Sequence, residues 1–144
     1  THNGLDRLQE EILQALRPGL AVSVVQVFTT VSTAETPSFC GDTFLWDCMN
    51  ALACRATPLL ALDEAGPLPL WEPTNMGRRT VTLTAAGQAV LKGDRDAITE
   101  AGIDRWIGGV HLNGCNTSPW RWDRAQGRLQ AEPDAFPGSA LKQL

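Results

Sequence analysis

Thr80-Val81-Thr82-Leu83-Thr84-Ala85-Ala86-Gly87-Gln88-Ala89-Val90-Leu91-Lys92-Gly93 changes its periodicity in the middle, and the fold follows from where it changes. Thr80 to Leu83 alternate polar and apolar, as a strand with one buried face does. Thr84 then stands where a hydroxyl can cap a helix over Ala85 to Lys92, which Gly93 ends. Just upstream, Leu59-Leu60-Ala61-Leu62 is a short apolar run bounded by Pro58 and by Asp63-Glu64-Ala65-Gly66, and reads as a partner strand. Between the two strands, Gly66, Pro67, Pro69, Pro73 and Gly77 forbid regular structure over most of residues 64–78. The pair is a β-hairpin with an extended tip.

Helical patterns precede the hairpin. Asp6 caps the first, with Gln9 at the capping-box position and Glu10 and Glu11 in the first turn. Leu8, Ile12 and Leu16 follow at helical spacing with Leu13 beside them, Arg17 suits the last turn, and Pro18-Gly19 stop the chain. Residues 20–33 carry two signals. Val22, Val24, Val25, Val27 and Val31 would suit a strand, yet Val24, Phe28 and Val31 share a helical face and alternation breaks at Val24-Val25, so the segment is read as a helix. Asp42 can cap a third helix to about Ala53, whose Leu45, Cys48, Met49 and Leu52 form a buried stripe before Thr57-Pro58.

Three helices, a strand, a long loop and a strand give the order of a winged helix, with the second and third helices as the helix-turn-helix. The expected architecture is therefore α+β: a winged-helix domain over residues 1–93 that includes the fourth helix, then a small β appendage over 94–123. In the appendage, Ile98, Ile103, Trp106 and Ile107 continue an apolar pattern, read as a further short helix before a strand around Ile107 to Leu112, with Pro119 to Trp122 as its pairing partner. Trp106, Trp120 and Trp122 are expected to seal this appendage onto the core, since indoles bury large areas. Residues 124–144 lack periodicity and read as a loosely ordered tail.

Four strings carry a family resemblance: Asn3-Gly4-Leu5, Gly41-Asp42-Thr43, Leu83 to Leu91, and Gly102-Ile103-Asp104-Arg105-Trp106-Ile107-Gly108-Gly109-Val110-His111-Leu112. Together they resemble the C-terminal region of a bacterial family whose members carry domain-of-unknown-function 1835 at their N-terminus. The likeness runs to Asp123, and its most specific part starts at Asp104. It implies that the chain begins near a domain boundary and lacks the N-terminal domain. It implies no activity.

A chain of 144 residues with 43% apolar content can bury one core. The net charge of −4 and the 12 basic residues, only Lys92 and Lys142 of them lysines, disfavour nucleic acid, which is held through phosphate contacts. No apolar run is long enough to span a bilayer. Cys40, Cys48, Cys54 and Cys115 show no C-x-x-C pair, and free buried thiols in a cytoplasmic protein are the expectation.

The chemistry-bearing positions weigh against catalysis. His111 and Cys115, four apart, would need Cys40, Cys48 or Cys54 to complete a site, but Cys48 and Cys54 point about 120° apart on a helix and cannot share an ion, so no metal and no cofactor are expected. No Gly-x-Ser-x-Gly turn, phosphate loop or Cys–His signature is present. Glu100 and Asp104 read as solvated charges and His111 as a sheet residue with a satisfied ring nitrogen. The residues singled out for an interaction surface are Trp46, Asn50, Trp71, Arg78, Arg79, Trp120 and Trp122. The leading expectation is a non-catalytic regulatory or protein-interaction module of a larger bacterial protein. Its partner would be an N-terminal domain of the parent chain or another subunit. The alternative is a transcriptional regulator docking the third helix and the Arg78-Arg79 wing on DNA, with a small hydrolase-type enzyme third.

Overall fold

The computed structural model describes residues 2–34, 40–71, 75–114, 121–123 and 126–130. Helix α1 (Arg7–Gln14) starts at the expected capping box. Asp6 Oδ1 accepts from the Gln9 amide at 2.8 Å, and Gln9 Oε1 accepts from the Asp6 amide at 3.2 Å. Strand β1 (Val22–Ser23) runs straight into α2 (Val24–Ala34), so the broken alternation at Val24-Val25 falls in the first turn of α2, just past the junction of the two elements. Val24, Val27 and Val31 face the core. The hydroxyls of Thr29, Thr30 and Thr33 donate to the carbonyls four residues earlier, which satisfies their polar groups in a helix crowded with β-branched side chains.

Helix α3 (Asp42–Ala53) buries Leu45, Trp46, Met49 and Leu52. Its N-cap is Gly41 rather than Asp42, whose carboxylate instead accepts from the Thr43 amide one residue on. Strands β2 (Leu60–Leu62) and β3 (Thr80–Leu83) pair antiparallel, with Ala61 opposite Thr82. β1 adds to the other side of β3 with Val22 opposite Val81, giving the sheet order β1-β3-β2. The long connection between β2 and β3 includes one 3-10 turn, Met76–Arg78.

Helix α4 (Ala85–Lys92) has the expected ends, with Thr84 Oγ1 accepting from the Gly87 amide at 3.0 Å and Gly93 at φ 81°. The same Thr84 hydroxyl donates to Pro58 O at 2.7 Å and so fastens the helix start to the approach to β2. A Cβ on Gly87 would lie 2.0 Å from Leu59 O, so α4 can sit this close to the sheet only with glycine there. The core joins α1–α4 and the three-stranded sheet around Leu5, Ile12, Leu45, Met49, Leu60 and Val90.

The C-terminal part departs from the expected pattern. Helix α5 (Ala97–Ala101), capped by Asp96, is followed by β4 (Ile103–Ile107) and β5 (Val110–Gly114), an antiparallel hairpin turning at Gly108-Gly109. Both turn glycines have positive φ, 56° and 82°, as a two-residue hairpin loop requires. The single strand expected over Ile107 to Leu112 therefore straddles a turn, and Ile103, Trp106 and Ile107, expected on a short helix with Ile98, lie in β4 because Gly102 ends α5 before them. Strand β6 (Arg121–Asp123) pairs with β7 (Arg128–Gln130) and not with that hairpin. β7 also lies within the stretch expected to be loosely ordered; Pro119, Trp120 and residues 131–144 fall outside the described residues. Arg121 holds β6 to the start of α5 through Nη2, 3.0 Å from Asp96 Oδ2.

Candidate functional site

The side chains of the β2–β3 connection and of α3 beneath it divide into fasteners and outward-facing groups. Arg79 is only 8% exposed. Its Nε lies 2.9 Å from Asp63 Oδ1, while its terminal nitrogens donate to Gly66 O and Pro67 O. Asp63 also accepts from the Thr80 amide at 2.7 Å, and this bond, with Arg79 beside it, holds its carboxyl below the usual carboxylate range against the opposing effect of burial. Asn50 spends both ends of its amide on Leu68, donating to its carbonyl at 2.9 Å and accepting from its amide at 2.7 Å. Trp46 is buried and tilts against Phe28 with ring centroids 5.8 Å apart. These three positions, expected at an interaction surface, are internal: they fix the loop between β2 and β3 and the α2–α3 packing. Arg78 and Trp71 do face outward, Trp71 at 88% exposure.

The appended hairpin supplies the other exposed surface. Trp106 is 71% exposed, and Ile107 and Val110 flank the turn in the open. Trp106 stacks flat on His111 across the hairpin, centroids 4.7 Å apart and planes 3° apart. His111 Nε2 in turn lies 2.6 Å from Asp104 Oδ1. The indoles of Trp106 and Trp122 thus point outward and do not seal the appendage onto the core. Trp120 lies outside the described residues. The tip was missed at the sequence level although Gly108-Gly109 between alternating apolar residues is a hairpin signal.

Between the hairpin and the core runs a groove of about 630 Å³. Phe44, Asp47, Cys48, Ala51 and Arg55 line it from the outward face of α3 and its end, Asp6 and Arg7 from the start of α1, and Ile103 to Arg105 from β4. Arg105 Nη1 reaches Asp6 Oδ2 at 2.6 Å and bridges the hairpin to α1. Burial, reinforced by Asp6, pushes the Cys48 thiol up to about 12, so it stays protonated at neutral pH. Burial also lowers the pKa of Arg55, and among the described residues no carboxylate stands within ion-pair distance of it.

Cys40 is buried, Cys48 half-buried and Cys54 exposed, all three as free thiols; Cys115 lies outside the described residues. Among the described residues no group of His, Cys, Asp and Glu is arranged to hold a metal ion, and no helix is long and apolar enough to cross a membrane. No family model, curated protein or solved structure matches the chain.

Proposed function

We propose that the chain is a non-catalytic protein-interaction module on a winged-helix core, in which the β4–β5 hairpin meets the partner. The core reading is supported by α2 and α3 followed directly by the β2–β3 hairpin, with β1 closing the small sheet. The observation that carries the function is the apolar tip of Trp106, Ile107 and Val110, exposed together at the end of a two-stranded arm. Large aromatic side chains left in water at such a tip are the ones protein interfaces favour. The partner is an N-terminal domain of the parent chain or another subunit, as the family resemblance would have it. The free thiols support a reducing, cytoplasmic setting.

DNA docking fares worse. The outward face of α3 presents Asp47 and forms one wall of a groove closed on another side by β4, while Asn50 and Arg79 are occupied internally. Arg78 is left as the outward base of the wing, far short of the roughly six to ten phosphate contacts that support tight binding. Fluorescence anisotropy against random duplex pools is the test of this half of the reading. Binding on the order of micromolar or weaker at physiological salt is expected. A selected duplex held at nanomolar affinity, and lost in Arg78→Ala, would replace the interaction reading with a regulator.

A further inference from the structure

The groove between α1, α3 and β4 contains charges that the fold itself pairs and two, Asp47 and Arg55, that have no ion pair among the described residues. Asp6 is taken by Arg105 and by the Gln9 amide, and Asp104 by His111. Arg55, half-buried at the end of α3, has no carboxylate within ion-pair reach among the described residues. A guanidinium taken partly out of water with no carboxylate in contact costs free energy that an anion would recover; Asp6, already bridged by Arg105, acts on Arg55 only at longer range. We propose that this groove binds a small monoanionic carboxylate with an apolar body, Arg55 holding the carboxylate and Phe44, Ala51 and Ile103 walling the rest.

The volume of about 630 Å³ lies inside the range of small-molecule sites, roughly 300–1,000 Å³. Phe44 is exposed into the opening and offers a ring face to an apolar ligand. The Cys48 thiol beside it is neutral, so it does not repel an anion. Asp47 sets the limit on ligand charge. It stands six residues before the end of α3 at Ala53, about 9 Å along the helix at 1.5 Å per residue, whereas Arg55 follows the C-cap Cys54. One negative group fits at the Arg55 end, while a second one extending toward Asp47 meets like charge. The site should therefore prefer monoanions to dianions.

The probe is benzoate, titrated into the uniformly labelled full chain and followed by two-dimensional amide NMR, with benzyl alcohol and inorganic phosphate as comparison ligands. Saturable shifts are expected at the amides of Phe44, Cys48, Ala51 and Ile103. Benzyl alcohol should bind about tenfold more weakly, because it lacks the charge-assisted bond to Arg55. Phosphate should be weaker than benzoate. Arg55→Gln should weaken benzoate about tenfold while Arg78→Gln leaves it unchanged. Asp47→Asn, an exposed change that spares the core, should tighten it and decides the matter if Arg55→Gln does not fold. Absence of saturable shifts, equal binding of benzyl alcohol, or no tightening in Asp47→Asn would overturn the proposal. Duplex and partner binding are separate readouts, so failure here leaves the interaction reading standing.

Discussion

Gly87 stands in the middle of α4, where alanine would ordinarily be the better helix former by about 1 kcal/mol. A neighbouring chain decides the matter, since an added Cβ would meet Leu59 O at 2.0 Å and Leu83 Cδ1 at 2.8 Å. Gly87→Ala is therefore expected to destabilise the protein by about 3 kcal/mol, at the upper end of overpacking costs, seen as a lower urea midpoint with unchanged slope. A raised midpoint would mean that helix propensity wins and that α4 stands off the sheet. At this scale the caps were legible in the sequence and the fasteners were not. Asp6, Thr84 and Gly93 act within three residues of themselves, so local spacing reveals them. Asn50 and Arg79 carry the same groups that read bases and phosphates, and their actual partners are backbone and carboxylate atoms 12 to 18 residues away. Nothing in the neighbourhood of either residue tells the two uses apart.

Elements whose pattern is set by one surface were readable, and those set by several were not. Strand β3 and helices α1, α3 and α4 each bury one face that periodicity reports, and β2 shows as a short apolar run bounded by Pro58 and Asp63. β1 is two residues long and blends its valines into those of α2, so no window separates them. The C-terminal hairpin was missed for another reason: Trp106-Ile107 and Val110 crowd apolar residues on both sides of Gly108-Gly109, so the segment reads as one continuous apolar run although β5 itself alternates. Its turn offers a direct check. Gly109 has φ 82° with open space around it, so Gly109→Val adds backbone strain and no collision. A left-handed non-glycine residue costs about 1–2 kcal/mol, enough to loosen a two-stranded arm. Hydrogen exchange is expected to quicken at the β4 and β5 amides while those of α1 to α4 keep their rates. Equal acceleration throughout would show that the hairpin unfolds with the core.

Over the whole molecule, the most exposed apolar side chains of an acidic chain stand on protrusions, Trp71 on the loop between β2 and β3 and Trp106 and Val110 on the hairpin, while Leu20, Val25 and Phe44 are exposed on the core itself. The proposed winged-helix core then acts as a mount. The outward face of α3 is turned into a groove wall by the arm that follows it, and Arg105 braces that arm against α1. Composition alone pointed away from nucleic acid because few bases are available, but it could not locate the alternative surface, which depends on how residues 102–114 fold back beside α3. The most direct test is photo-crosslinking in cells from a benzoylphenylalanine placed at Trp106, with the same group at Arg78 as the comparison. A discrete protein adduct from position 106, competed away by excess unlabelled chain, and no nucleic-acid adduct from position 78 are expected. Nucleic acid captured at position 78, with no protein captured at position 106, would contradict the assignment of the hairpin as the contact surface.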